Sequence, residues 1–553
     1  MWFKKYWWII SCSLFTFGLK AQDTEYRYAF FFKDKGGAHA SFSLQQPQQF
    51  LSERALERRA KFAISLHETD LPVHRAYVKQ ILDSLPGAWY VGSSKWLNVA
   101  ILGSNTPIAQ LPAFSFVENW RSIYQGPAIW KGLPASPGHP CCGTLSLPPY
   151  QGDFFQANVQ NEMIGGDYLH GKGWNGRNVI VAILDAGFQK ADVNPAFQHL
   201  FADGRVLNTW DFVAGEPGVY EDNSHGALVF SAMAGYLPNA YVGLAPAASY
   251  VLLRTENAPN ETISEEFYWV MGAEYADSVG ADVLNSSLGY TTFDQAEDSH
   301  AYGTLDGRTA TATLGAVWAA RKGLMVINSA GNSGSQSWRY IGVPADADSI
   351  LAIGAVDAER QKASFSSFGP SADNRVKPDV AAMGRQTVLV GVQGAVTTAN
   401  GTSFSAPIVA AAVALLRQAF PDRSPQTILQ AVRGSADHFT QPGDGLGYGI
   451  PHLGMASFLL QATAADSALF MLYPNPGKTP EVKAEFFVPS AGDYALTVFN
   501  TQGQRIMEWT WTFQSRGLYV KPLTLPSQAK GVLEWLFQGP GVQRRMKWLG
   551  LPE

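Results

Sequence analysis

An aspartate, a histidine and a serine lie in three short motifs of this chain, and together they could catalyse nucleophilic attack on a carbonyl carbon. Asp185 ends the apolar run 178–184, His225 precedes a glycine, and Ser403 follows Gly401 and Thr402. A serine hydroxyl is a weak nucleophile at neutral pH and needs a base. Histidine titrates near neutrality, and a buried aspartate holds its tautomer and stabilises the imidazolium. The three residue types therefore predict an acyl-transfer site with a serine nucleophile.

A fourth residue could stabilise the negative charge that such an attack creates. Asn332 follows the apolar run 324–328 and could donate its side-chain N–H to a tetrahedral oxyanion. Ser403 precedes a long apolar run and is expected in the first turn of a helix, where free N–H groups favour an anion. Taken singly, each motif also fits an ordinary turn or helix cap. Their order and their flanking residues make the catalytic interpretation the stronger one.

These motifs resemble those of the subtilisin-like serine proteases, the subtilases, which share the order Asp, His, Ser. The matching blocks are Leu184-Asp185-Ala186-Gly187, His225-Gly226, Ser287-Leu288-Gly289, Ala330-Gly331-Asn332 and Gly401-Thr402-Ser403. Residues 365–370 and 377–380 add matches that have no catalytic role. The resemblance covers roughly residues 151–457 and implies a serine endopeptidase.

Two positions depart from the family pattern. Subtilases usually carry Ser or Thr after the catalytic aspartate and Thr after His-Gly, where this chain has Ala186 and Ala227. Neither change removes a reacting group, but the loss of two hydroxyls predicts a looser triad and a lower rate. The departures also leave open a second hypothesis, a catalytically silent subtilase fold that serves as a surface binding or adhesion protein.

The resemblance also predicts the pocket for the residue before the scissile bond. Its walls would be Ser287, Leu288 and Gly289 on one side and Ser329, Ala330 and Gly331 on the other, with Gly342 at the base. None of these residues is acidic, so nothing there favours Arg or Lys. We therefore expect cleavage after large apolar or aromatic residues.

Composition excludes several other classes of function. The chain has 553 residues, of which 46% are hydrophobic and 16% charged, so about three domains with sizeable cores are expected. The net charge is −5, so the chain has no excess of positive charge of the kind that binds nucleic acid. The three cysteines form neither a disulfide framework nor a zinc-binding pattern. The chemistry requires no cofactor; calcium is possible in this family, but no loop here has acids that we can assign as its ligands.

The N-terminal quarter is expected to be a leader and a propeptide. Residues 1–21 have Lys4 and Lys5 before a short apolar run, as in a secretory signal peptide, so no transmembrane span is expected in the mature protein. Residues 22–124 are expected to form a small α+β domain that resembles the subtilase propeptide, a folding aid and inhibitor. Residues 125–150 are rich in proline and glycine and predict a linker.

The remaining chain divides into a catalytic domain and a tail. Residues 151–462 alternate strands with helices, which predicts an α/β fold, a parallel sheet with helices on both faces. Residues 463–553 predict a small β-sandwich. Its residues 473–476 and 496–504 resemble the C-terminal sorting domain of the type IX secretion system of Bacteroidetes; an ordinary accessory β-domain is the alternative. The expected location is the cell surface or medium, reached through the periplasm, and the expected partners are protein substrates, the propeptide and the secretion machinery.

Overall fold

The computed structural model describes residues 24–37, 41–132, 153–461, 470–473, 481–488, 490–514, 517–526, 531–540 and 542–550. The expected signal peptide, residues 133–150 of the expected linker and residues 474–476 of the tail motif lie outside the described residues.

The N-terminal unit is an antiparallel sheet flanked by helices. Its elements are β1 (Thr24–Phe32), α1 (Glu53–Lys61), α2 (Arg75–Ser84), β2 (Trp89–Ser94), β3 (Val99–Ser104) and β4 (Val117–Pro127), and the strand order is β2-β3-β1-β4. Successive side chains of β1 point to opposite faces. Phe30 and Phe32 pack against α2, whereas Ala29 and Phe31 pack against the catalytic domain. The α+β prediction is confirmed, and one face of the sheet is shared with the next domain.

Two boundaries in this unit differ from the sequence-based expectation. The apolar residues among 96–101 predict a strand over that range, but the strand begins at Val99, because residues 95–98 form a turn. The backbone N–H groups of Lys95 and Trp96 in that turn both donate to the carboxylate of Glu274, at 2.9 Å each. Strand β4 continues to Pro127, where it pairs with Thr24 at the start of β1. Both differences arise from contacts between segments that are distant in sequence.

The catalytic domain is built around a parallel sheet, in which seven strands of the described chain follow the order β13-β12-β11-β10-β5-β9-β6. The elements are α3 (Asn158–Met163), α4 (Gly166–His170), β5 (Ile180–Asp185), α5 (Gln198–Ala202), β6 (Val206–Asp211), α6 (His225–Ala234), β7 (Tyr236–Leu237), β8 (Tyr241–Val242), β9 (Ser249–Arg254), α7 (Ser264–Val279), β10 (Val283–Ser286), α8 (Thr311–Arg321), β11 (Met325–Ser329), β12 (Leu351–Val356), β13 (Val380–Met383), β14 (Thr387–Val390), β15 (Val396–Ala399), α9 (Thr402–Ala419), α10 (Pro425–Gly434) and α11 (Leu453–Gln461).

Helices cover both faces of this sheet, as the sequence predicted. Helices α6, α9, α10 and α11 share a hydrophobic core on one face, and α7 and α8 share another core on the opposite face. Of the described helices, α9 is long and apolar enough to cross a membrane by length and composition, and most of it is buried inside the protein. Its small residues 410–412 let it lie close to the sheet.

The chain order places a site at one end of the sheet. Strand β5 comes first in the sheet but lies inside it; the chain continues to β6 and β9 on one side and then to β10 on the other. Crevices in open α/β sheets form where the strand order reverses, beyond the carboxyl ends of the strands. Asp185, the last residue of β5, stands at this point.

The tail is a sandwich of antiparallel sheets, as expected. Its strands are β16 (Phe470–Tyr473), β17 (Glu481–Val488), β18 (Gly492–Phe499), β19 (Arg505–Phe513), β20 (Gly517–Thr524), β21 (Gly531–Gly539) and β22 (Val542–Gly550). Within the described ranges the sheets have the orders β16-β17-β20 and β19-β18-β21-β22. Strand β22 was not expected, because its basic residues mask the alternation that buries Val542 and Trp548.

Candidate active site

The ends of β5 and α6 bring an acid and a base together. The imidazole Nδ1 of His225 lies 2.8 Å from Asp185 Oδ1. The same carboxylate oxygen accepts the Ala186 backbone N–H at 2.8 Å. The backbone N–H of His225 donates to Asn223 Oδ1 at 2.8 Å, which fixes the first turn of α6. With Nδ1 held by the carboxylate, Nε2 is the nitrogen that can take a proton.

The carboxylate makes His225 a stronger base than a free histidine. Burial lowers the pKa of His225, but the charge and the hydrogen bond of Asp185 raise it by more, so the net pKa lies above the usual 6.5. Asp185 is fully buried. Its second oxygen, Oδ2, has no hydrogen-bond partner among the described residues. The adjacent Ala186 and the nearby Ala227 offer no hydroxyl to it.

Ser403 is the second residue of α9, next to a glycine whose backbone few other residues could adopt. Gly401 has a φ of +152°, in the region that favours glycine. The side chain of Ser403 is 8% exposed, and its Oγ donates to the Ser287 carbonyl at 3.2 Å. The ring of Phe404, the residue after Ser403, is tilted by 40° against the ring of His225, with the ring centroids 5.6 Å apart. This contact brings the first turn of α9 against the imidazole.

Asn332 is anchored through its side-chain oxygen. Its Oδ1 accepts two hydrogen bonds from Thr402, from the backbone N–H at 2.9 Å and from the hydroxyl at 3.0 Å. The Thr402 hydroxyl in turn accepts the Gly331 N–H at 3.1 Å. Because the oxygen is occupied, Nδ2 is left as a donor; it lies 3.6 Å from the point that a Cβ on Gly401 would occupy. Together with the Ser403 N–H, it can stabilise an oxyanion.

The predicted pocket residues also meet in space. Tyr290 and Val343 exchange two backbone hydrogen bonds at 2.8 and 3.0 Å, which join the segment after Gly289 to the one after Gly342. The Gly342 N–H donates to the Ala330 carbonyl at 3.3 Å. A Cβ on Gly342 would lie 3.3 Å from the Tyr290 carbonyl, so the absence of a side chain there keeps the base open.

The N-terminal unit lies over α7 and α8 and is held by alternating charges. Arg58 and Arg59 each donate to one oxygen of Asp277, at 2.5 and 2.7 Å. Arg59 also contacts Asp70 at 3.1 Å, and Asp70 accepts from Lys322 at 2.6 Å. All five side chains are buried. We call this chain, Arg58–Asp277–Arg59–Asp70–Lys322, the charge clamp; it crosses the boundary between the two domains three times.

The end of the N-terminal unit reaches the edge of the cleft. The backbone N–H of Lys131 donates to the Ala214 carbonyl at 2.8 Å, and its Nζ lies 2.6 Å from Glu216. A cavity of about 500 Å³ lies between residues 128–131 and the catalytic domain. It is lined in part by Ala186 and Asn223, which are close in sequence to the acid and the base. The unit therefore crosses the surface beside Asp185 and His225.

Sequence reasoning missed several residues that position the site. Thr402 orients Asn332, and Asn223 orients the backbone of His225. Thr402 lies within a predicted motif and Asn223 two residues before another, so a hydroxyl or amide beside a reacting residue was the available signal. Within the described ranges, no group of three or more His, Cys, Asp or Glu side chains is arranged to hold a metal ion.

Comparison with known proteins decides the family. The model of the subtilase family matches residues 176–450, and that of the peptidase S8 propeptide domain of Bacteroidota matches residues 27–129. Subtilisin DY of Bacillus licheniformis is 32% identical over 294 residues, which are 52% of this chain and 93% of that protein. The chain belongs to the subtilase family.

Two further subtilisins agree with this assignment. Subtilisin NAT of Bacillus subtilis subsp. natto is 34% identical over 46% of this chain and 59% of its own length, and the subtilisin of Bacillus pumilus is 34% identical over 46% and 82%. A solved structure of MycP1 without its N-terminal propeptide aligns with a TM-score of 0.43 and 23% identity, over 54% of this chain and 96% of that one. This subtilase is thus a subtilisin-like serine endopeptidase with a propeptide of the Bacteroidota type.

Proposed function

We propose that Ser403 is the nucleophile of a secreted endopeptidase, with His225 as its base and Asp185 as the residue that orients the base. Ser403 Oγ attacks the scissile carbonyl, and His225 takes its proton and passes it to the leaving amine. Asn332 Nδ2 and the Ser403 N–H bind the oxyanion. Water then hydrolyses the acyl-enzyme. The observation that carries this assignment is the 2.8 Å contact between His225 and Asp185 beside the first turn of α9.

A fluorophosphonate probe tests the nucleophile directly. We expect the processed wild-type protein to be labelled at Ser403 and Ser403→Ala to remain unlabelled. Ser435→Ala is the matched control, because Ser435 is a buried serine whose hydroxyl donates to the Val432 carbonyl on α10, outside the site. Label on another residue, or none on the wild type, would contradict the assignment and favour a silent fold.

We propose that the N-terminal unit inhibits the enzyme until the chain is cut between residues 120 and 150. Ser403→Ala expressed alone in a host without other proteases should accumulate as the uncut proform. Asn332→Ala should slow the cut without abolishing it, because the backbone donor remains; in subtilisin itself, loss of the side-chain donor lowers kcat about a hundred- to a thousandfold. Normal processing of Ser403→Ala would show that another protease matures the protein.

The walls of the pocket support a preference for large apolar or aromatic residues before the scissile bond. Leu288 is its partly exposed apolar side chain, Ala330 is fully buried, and Gly289 and Gly342 add no side chain. A peptide library should therefore be cut mainly after Phe, Tyr, Leu or Met. A profile dominated by Arg or Lys would overturn this specificity and leave the nucleophile assignment intact.

We also propose that the tail directs export through a type IX pathway. Support comes from the sandwich that the described residues form and from the sequence resemblance of residues 496–504. The tail carries none of the proposed catalytic residues. Its removal is therefore expected to change where the enzyme goes rather than what it does.

A further inference from the structure

Helix α9 has a missing hydrogen bond one turn after the proposed nucleophile. Pro407 lies inside the helix and has no backbone N–H. In a regular α-helix that N–H would donate to the carbonyl four residues earlier, which here belongs to Ser403. A buried carbonyl left without a donor is unfavourable, so another group is needed to satisfy it.

The side chain of Ser287 supplies this donor. Its Oγ donates to the Ser403 carbonyl at 2.8 Å. Asn285 Nδ2 donates to the same Oγ at 3.2 Å, so the hydroxyl proton is left for Ser403. Ser287 is 5% exposed and Asn285 is fully buried, so solvent does not compete for these bonds.

The contact between these serines is reciprocal. The Ser403 Oγ donates to the Ser287 carbonyl at 3.2 Å, while the Ser287 Oγ donates to the Ser403 carbonyl. Two bonds therefore join the exit of β10 to the first turn of α9, across 116 residues of sequence. That turn carries both the reacting hydroxyl and the backbone N–H of the proposed oxyanion site.

We propose that Ser287 is a positioning residue for the nucleophile: its hydroxyl replaces the helix N–H that Pro407 lacks and fixes the first turn of α9. This proposal rests on the assignment of Ser403 as the nucleophile. The role belongs to the Ser287 side chain and is separate from any contact that its backbone makes with substrate. A misplacement of about 1 Å in a reacting group can cost about a hundredfold in rate.

Pro407→Ala provides the decisive background for a double-mutant cycle. In the wild type, Ser287→Ala should lower kcat about ten- to a hundredfold, with KM changed less than about threefold, because the Ser403 carbonyl loses its donor. In Pro407→Ala the backbone N–H at position 407 can donate instead. There the same Ser287→Ala change should lower kcat by no more than about threefold.

Three further measurements separate positioning from a general loss of stability. Ser287→Thr keeps the hydroxyl and should recover most of the lost kcat. Ser435→Ala, a buried serine outside the site, should lower the melting temperature by a similar amount and leave kcat unchanged. The rate of fluorophosphonate labelling should follow kcat across the set.

The outcomes distinguish a failure of the nucleophile assignment from a failure of the positioning role. If the wild type is not labelled at Ser403, the proposed function fails. If the wild type is labelled and Ser287→Ala reacts equally fast, the positioning role is wrong while the function stands. An equal loss of kcat in both backgrounds would also overturn the proposal, since the effect would then not depend on the missing N–H at Pro407.

Discussion

At the scale of single residues, the site depends on how Asp185 uses its two oxygens. Oδ1 accepts both His225 Nδ1 and the Ala186 N–H, whereas Oδ2 has no partner in the described part of the chain. A buried carboxylate oxygen without a donor is less well held than one that accepts a hydrogen bond. The aspartate therefore raises the basicity of the histidine, but it is anchored on one side only.

The first prediction concerns the pH dependence of kcat/KM. His225 must be neutral to act as a base, and Asp185 raises its pKa, so activity should rise with pH along a limb centred above 6.5. In Asp185→Asn the charge that raises the pKa is lost, so the limb should move to lower pH while kcat falls about 10⁴-fold, as for the same change in a Ser-His-Asp protease. A pH–rate profile of both enzymes checks this. An unchanged limb in Asp185→Asn would mean that another group controls it.

The second prediction is that a hydroxyl beside Asp185 raises the rate. Ala186 borders the cavity of about 500 Å³, whereas Ala227 is fully buried. Ala186→Ser should raise kcat several-fold, because one hydrogen bond to a charged group contributes about 1.5–3 kcal/mol and only part of it acts on the transition state. Ala186→Cys is the size-matched control with a weak donor. Equal rates for both variants would rule out hydrogen bonding as the cause.

At the scale of secondary-structure elements, the sequence predicted most of what carries the chemistry. The strand that ends at Asp185 and the helices that begin near His225 and Ser403 follow from apolar runs and their ends. The turn at residues 95–98 could not be predicted, since Glu274 of another domain shapes it. The hydrogen bond from Ser287 to Ser403 could not be predicted from the sequence either, because it depends on how α9 packs against the end of β10.

The third prediction concerns helix α1 and its hold on α7. A recognition site for a second protease can be introduced between residues 133 and 152 of the inactive variant Ser403→Ala. The added protease then cuts the chain, so that no activity of the enzyme itself is needed. In this cut complex Asp277→Asn should speed propeptide dissociation about a hundredfold or more, because buried Arg58 loses its charge partner and buried Arg59 keeps only Asp70. Arg54→Met, which breaks a half-exposed pair with Asp282, should have a smaller effect.

Controls and pH sharpen this test. Lys79→Met removes an exposed pair with Asp83 on α2 and should change nothing. Burial raises the pKa of Asp70, but Arg59 and Lys322 lower it by more, so it lies below the usual 3.8. The contribution of Asp70 to the clamp should therefore be complete above pH 3.8 and be lost only as the pH falls through its lowered pKa. If Asp277→Asn and Lys79→Met dissociate equally fast, the clamp does not hold the propeptide.

At the scale of the whole molecule, the domains divide the tasks. The catalytic domain contains Asp185, His225, Asn332 and Ser403, the N-terminal unit covers two of its helices, and the tail forms its own hydrophobic core. The fourth prediction is that truncation after about residue 465 leaves the activated enzyme nearly as active, while the native host retains it inside the cell envelope. Measured kcat/KM and the amount in the medium check this. Normal export of the truncated protein would exclude a sorting role.

The position of the charge clamp has a consequence for timing. The clamp consists of Arg58 and Arg59 on α1, Asp70, Asp277 on α7, and Lys322 directly after α8. All five residues lie outside residues 133–152. A cut in that interval leaves every one of its contacts in place. Cutting the chain would therefore not activate the enzyme at once. Activation would follow only when the N-terminal unit dissociates. The time between cleavage and activation would be set by how fast Arg58 and Arg59 dissociate from Asp277. A slow dissociation would let the protein leave the cell before it could degrade the proteins of that cell.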